Sequence, residues 1–216
     1  MKMKTIPFSR RFFYSLIVFS ITSSFYMFSG THQFFPFAKL NPNWLDIHTP
    51  YLPWTVLIYI SYYPILFVPF WICQDEFIFF QLVKSYIAIS LLCFSIFLFF
   101  SIFLFLPIRY DMEPKNQTDV ITKYIMDPLR DADHHGTNAF PSEHVAFSLM
   151  AALVFFKYGH RKRSLIFFGW GIPICISTLT AKQHYFADVA VSIVMVLVFT
   201  MLLESRKKEE KLKIKN

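Results

Sequence analysis

The chain has 216 residues, 55% of them hydrophobic, 20% aromatic and only 16% charged, with a mean hydropathy of +0.44. Soluble domains carry about 25% charged residues, so the composition excludes an ordinary soluble domain and poses the question of how often the chain crosses a membrane. The net charge of +7 is gathered in short clusters beside apolar runs, which argues against a nucleic-acid-binding face and suits membrane topology.

A helix needs about 20 mainly apolar residues to cross the hydrocarbon core. Six runs meet or approach that length, at 12–29, 53–72, 77–106, 144–158, 165–180 and 186–203. The expected fold is therefore all-α: a single transmembrane domain over 1–216, built as a six-helix bundle, with a basic tail over 204–216. The first run follows the basic stretch "MKMKTIPFSRR", but no small-x-small cleavage site ends it, so it reads as a span and not as a leader. The third run is long and can tilt. Cys73, Cys93 and Cys175 lie in or beside apolar stretches with no CxxC pattern, so buried inert thiols are expected.

Lysine and arginine set the orientation. Lys2, Lys4, Arg10 and Arg11 precede span one. Lys157, Arg161, Lys162 and Arg163 follow span four, and Arg206, Lys207, Lys208, Lys211, Lys213 and Lys215 follow span six. With six spans these clusters share one side, read as cytoplasmic along with both termini. The acidic "CQDE" after span two falls on that side too and departs from the pattern. The segments 30–52, 107–143 and 181–185 face the other, extracytoplasmic side.

Two of those outward segments end in polar residues set against a span. Pro141-Ser142-Glu143-His144 opens span four, with proline suited to the first helical turn. The free amides of that turn form an anion site, Ser142 adds a hydroxyl, and His144 can donate a proton nearby. Glu143 is expected to face water at the helix start, where the dipole favours negative charge. "KQHYFADV" opens span six. His184 and Asp188 are four apart and share a helical face, so Asp188 can fix the tautomer of His184 and raise the basicity of its other nitrogen. Lys182 adds a positive charge two residues earlier.

A single histidine at a helix end is most often a surface or capping residue. Two of them on one side of the membrane, with a carboxylate at i+4 and a serine at a helix start, point to a site. His32, His48, His134, His135 and His160 read as loop residues. The histidines show no HExxH-type pair, so no metal and no other cofactor is expected.

"FPSEHVAFSL" and "KQHYFADV" resemble the second and third motifs of the type 2 phosphatidic acid phosphatase superfamily. That superfamily consists of six-helix membrane enzymes, with inositolphosphotransferase and sphingomyelin-synthase-like branches. Its second motif is usually P-S-G-H; Pro141, Ser142 and His144 match, and Glu143 replaces the glycine. The third is usually S-R-x5-H-x3-D; Ser177, His184 and Asp188 match, and Thr178 stands where the arginine would be. The first, K-x6-R-P, has no match.

The resemblance implies a lipid phosphate substrate in the membrane and a two-step phosphoryl transfer without a metal. His184 would form a phosphohistidine, oriented by Asp188, and His144 would protonate the leaving alkoxide. Arg109, Lys182, Ser142 and the span-four amides would hold the phosphate oxygens, with Lys115, Lys123 and Arg130 as further basic candidates. Water as acceptor gives a phosphatase; an alcohol acceptor gives a phosphotransferase. A transporter or scaffold whose histidines relay protons or tune packing is the contrasting reading.

Overall fold

A computed structural model describes residues 4–32, 38–103, 108–110, 119–132 and 138–203. Helix α1 covers Phe8–Thr31. A three-residue strand β1, Ala38–Leu40, and the short helix α2, Trp44–His48, follow. The second apolar run is broken into a 3-10 turn at Pro53–Thr55, α3 at Val56–Ile60 and α4 at Tyr62–Ile72. Helix α5 spans Glu76–Phe103 and leads to strand β2, Ile108–Tyr110. A π-helical turn at Thr122–Met126 runs into α6, Asp127–Ala132. The chain closes with α7 at Glu143–Lys157, α8 at Arg161–Thr180 and α9 at Phe186–Leu202.

The architecture is helical as expected, apart from one two-stranded parallel ladder, in which Lys39 pairs with Arg109. Such short strands carry no hydrophobic alternation and leave no trace in the pattern of the sequence. Among the described residues four helical segments are long and apolar enough to cross a membrane: Phe8–Thr31, Pro53–Ile72, Glu76–Phe99 and Arg161–Thr180. Helix α9 is apolar but shorter, at 17 residues. Helix α7 has 15 residues.

Helix α7 occupies the centre. It packs on α4, α5, α8 and α9, and every residue from Glu143 to Ala152 is buried. A helix apolar on all sides is one surrounded by protein. Phe147, Met150 and Phe155 of α7 join Phe70, Phe79 and Tyr86 in a single core. Helix α8 comes close to α7 at Gly171, where an added Cβ would lie 2.6 Å from the Ser148 carbonyl oxygen. The outer faces of α8 and α9 remain apolar, with Leu165 69% and Met201 77% exposed. Surfaces of that kind are covered by something other than water. Cys73, Cys93 and Cys175 are free and buried, as expected.

The helix ends sort into two groups. At one end the Ile6 amide donates to the Gln74 carbonyl at 3.1 Å and the Glu76 amide to the Lys4 carbonyl at 3.0 Å. There too the Lys157 ammonium donates to the Thr200 carbonyl at 2.6 Å. The acidic loop before α5 belongs here because Glu76 pairs with Lys4 at 3.0 Å and Asp75 accepts the Ile78 amide at 3.1 Å. Its carboxylates thus cap a helix and neutralise a lysine. At the opposite end the Asn138 side chain donates to the Tyr26 carbonyl at 3.1 Å, and the starts of α7 and α9 meet.

Candidate active site

Ser142 is the N-cap of α7, and its hydroxyl oxygen accepts the Val145 amide at 3.4 Å. Proline was expected inside the first turn, but Pro141 stands ahead of the cap. Serine wins the cap position because its oxygen satisfies an amide that the helix leaves unpaired. His144 follows in the first turn, 8% exposed.

Helix α9 starts at Phe186, so His184 lies in the preceding turn and not on a helical face. Its pairing with Asp188 comes instead from capping. One oxygen of Asp188, Oδ2, accepts the Tyr185 amide at 2.9 Å and faces His184 Nδ1 at 3.2 Å. The turn is anchored by the Thr178 carbonyl, which accepts the amides of Gln183 at 2.9 Å and His184 at 3.2 Å. Thr178, at the position of the motif arginine, donates its hydroxyl to the Cys175 carbonyl at 2.8 Å and is fully buried. No cation replaces the arginine at that point of the helix.

The two histidines meet. His184 Nε2 lies 3.4 Å from His144 Nδ1, and His144 Nε2 lies 2.8 Å from the Tyr59 hydroxyl. The His144 ring packs on the rings of Tyr59 at 4.6 Å and Tyr62 at 4.4 Å. One assignment of protons satisfies the whole row. Tyr59 O–H donates to His144 Nε2, His144 Nδ1–H to His184 Nε2, and His184 Nδ1–H to the Asp188 carboxylate. Asp188 is fully buried and His184 is 5% exposed. In this arrangement His184 presents a lone pair, and His144 the proton that faces it.

Lys182 is drawn to a strap formed by residues 43–55. Its ammonium donates to the carbonyls of Asp46 at 2.6 Å and Thr49 at 2.5 Å, and its backbone takes a left-handed φ of 56°. Asp46 accepts the Phe186 amide at 2.7 Å. The Leu52 amide donates to the Thr180 carbonyl at 2.9 Å. Among the described residues two of the three ammonium donors are therefore occupied. Burial pulls the Lys182 pKa below its ordinary value, and the Asp46 carboxylate partly opposes that.

Other expectations fall differently. The backbone of Arg109 lies in β2, opposite Lys39 in register. Lys123 is exposed in the π-helical turn, with its ammonium 5.3 Å from the Tyr124 ring centroid. Arg130 lies in α6. Lys115, His134, His135 and the basic residues of 204–216 lie outside the described residues. Glu143 does not face water. It is 4% exposed, and its Oε1 accepts from the Ser90 hydroxyl on α5 at 3.5 Å. The dipole argument holds for a helix starting at a free surface, whereas α7 starts inside a bundle.

Three contributors escape a motif-based reading: Tyr59, Tyr62 and Asp46. Tyr59, Tyr62 and Tyr63 in "YISYYP" have helical i, i+3, i+4 spacing, a polar-tipped face that was the available signal. Asp46 offers none, since its partner is 140 positions away. A cavity of about 250 Å³ opens beside His144, lined in part by Phe19, Tyr26, Tyr59, Tyr62 and Glu143.

A family model for the PAP2 superfamily matches residues 31–202. The chain belongs to the PAP2 superfamily. The match runs from the last residue of α1 to the last of α9 and contains both histidines, Asp188, Tyr59 and Asp46. No curated protein and no solved structure matches the chain. PAP2 proteins are generally phosphatases, so the membership suggests phosphatase-type activity.

Proposed function

We propose that this PAP2 protein is a multi-pass membrane phosphatase that hydrolyses a phosphate monoester or diphosphate of a lipid through a phosphohistidine on His184. The observation that carries this reading is the row Asp188–His184–His144, buried at one end of an apolar bundle. The six crossings are α1, α3 with α4, α5, α7, α8 and α9. Lys4, Arg10, Arg11, Lys157 and Arg161 to Arg163 mark the cytoplasmic end, with both termini, and the site faces the extracytoplasmic side.

His184 Nε2 attacks phosphorus, and an N–P bond forms as the P–O bond to the lipid alcohol breaks. Asp188 accepts from Nδ1–H and stabilises the charge that His184 gains. On substrate binding His144 takes up a second proton, with the Tyr59 hydroxyl accepting from Nε2–H, and this imidazolium passes its Nδ1 proton to the departing alkoxide, leaving a neutral ring. Water then attacks phosphorus and gives its proton to His144. The N–P bond breaks, inorganic phosphate leaves, and both rings return to their starting state. The α7 amides, the Ser142 hydroxyl, Arg109 and the remaining Lys182 donor offset the charge on the phosphoryl oxygens. Electrostatic stabilisation of this kind supplies most of the rate in phosphoryl transfer.

Purified protein in detergent, offered long-chain lipid monophosphates and diphosphates, should release inorganic phosphate, and vanadate should inhibit the release. A new phosphodiester formed in the presence of an alcohol would make the protein a phosphotransferase using the same histidines. Absence of both products, with vanadate without effect, would leave a transporter or scaffold.

A further inference from the structure

Helix α2 has its polarity reversed for a segment that meets water. Asp46 is its buried residue, 4% exposed, while Trp44 is 68%, Leu45 42% and Ile47 65% exposed. Its carboxylate points into protein and its large apolar side chains point away, the opposite of a helix packed on a soluble core. The strap that carries α2 lies across the ends of α8 and α9. Asp46 accepts the Phe186 amide at 2.7 Å, the Leu52 amide donates to the Thr180 carbonyl at 2.9 Å, and the Thr180 hydroxyl donates to Thr55 at 2.9 Å. Around these contacts Trp54, Leu57, Ile176 and Phe186 are exposed as well. The apolar patch on α2 therefore continues onto the apolar outer sides of α3, α8 and α9.

A tryptophan beside an isoleucine and a leucine, at the level where apolar spans end, has the chemistry of the boundary between hydrocarbon and water. The strap also grips the catalytic turn on both sides. Lys182, two residues before His184, donates to the Asp46 and Thr49 carbonyls, and the amide of Phe186, two residues after it, donates to the Asp46 carboxylate. A strap lifted from its seat would withdraw all three acceptors from that turn. We infer that α2 seats in the lipid headgroup boundary on the site's side of the membrane, and that this seating holds the His184 turn through Asp46. The partner is a lipid surface, and Asp46 is a positioning residue that acts through the turn.

The effect on turnover rests on the proposed function, whereas the seating and its hold on the turn stand without it. In phospholipid bilayers a spin label on Ile47→Cys should collide more with dissolved oxygen than with a water-soluble nickel chelate, as a label on Val194→Cys of α9, also exposed, should do. Cys73, Cys93 and Cys175 are buried, so the label goes to the introduced thiol. Collision chiefly with the chelate, or shielding from both reagents as under a second protein chain, overturns the seating. The hold on the turn is read by hydrogen exchange of residues 182–188 in the same bilayers. Trp44→Ser combined with Ile47→Ser should speed that exchange about threefold or more, the equivalent of one backbone hydrogen bond. Asp46→Ala should do the same without moving the label on residue 47, and Asp46→Asn, which keeps an oxygen acceptor, should largely restore slow exchange. If Asp46→Ala does not fold, the double serine variant carries the test. Exchange unchanged in the folded variants overturns the coupling. Phosphate release is read in parallel, and kcat should fall in the variants with KM little changed. Faster exchange in the variants with no release even from the wild type would overturn the proposed function and leave the anchored strap standing.

Discussion

His184 Nε2 and His144 Nδ1 stand 3.4 Å apart. A phosphoryl group attacked by one ring and leaving toward the other must lie between these nitrogens. At 3.4 Å the two nitrogens leave no room for a phosphorus atom, so the rings must separate when substrate enters. Lipid phosphate binding should break the His–His contact, seen as a shift of the histidine imidazole signals on titration with a non-hydrolysable lipid phosphonate. The same signals unmoved at saturation would contradict the arrangement.

Asp188 holds His184 through Nδ1 and caps the turn through the Tyr185 amide. Asp188→Asn should leave the fold recognisable but present the wrong hydrogen-bonding partner to Nδ1. Loss of an orienting carboxylate of this type lowers kcat by about 10²–10⁴-fold. Steady-state kinetics should show that loss in kcat with KM little changed.

Tyr59 contacts the far nitrogen of His144. Tyr59→Phe removes one hydrogen bond to a group that becomes charged during turnover. The loss should be about 10- to 100-fold in kcat, smaller than for Asp188→Asn, with thermal stability nearly unchanged. A variant as active as wild type would remove Tyr59 from the site.

Burial lowers the Lys182 pKa below the ordinary value of 10.5. As pH rises, the native protein loses this proton before the unfolded chain does. Between the native value and 10.5 the unfolded state therefore binds more protons, and the contribution of Lys182 to stability grows with pH. Thermal unfolding in detergent should show that increment in the wild type and not in Lys182→Met. The variant should also lose activity, because the strap no longer holds the His184 turn.

Gly171 and Gly169 form a matched pair on α8. A methyl group at 171 would meet the Ser148 carbonyl of α7 at 2.6 Å, while at 169 nothing lies within 4 Å. Overpacking of that kind costs about 1–3 kcal/mol. Gly171→Ala should unfold at lower temperature and, by displacing α7, lose activity. Gly169→Ala should do neither.

The apolar runs marked the long helices closely. Span three was expected at 77–106, and α5 is found at Glu76–Phe103. Span five was expected at 165–180, and α8 begins four residues earlier, at Arg161. Hydropathy does not see basic residues in a first turn, although long cationic side chains are at home at a membrane boundary. That His184, Asp188 and His144 come together was legible from their spacing and their places at helix starts, even though the His184–Asp188 pair proved to be a capping contact. The burial of Glu143, the partners of Lys182 and the strap through Asp46 were not legible. Each depends on which segments lie beside the helix ends, and periodicity carries no information about that.

His184 is proposed to carry the phosphoryl group. Phosphorus-radiolabelled lipid phosphate, mixed with the protein and quenched in alkali, preserves a phosphohistidine for peptide mapping. Label is expected on the peptide containing His184, increased when His144 is replaced by a residue that cannot activate water, and absent from His184→Ala. Turnover without labelled His184, or label retained in His184→Ala, would contradict it.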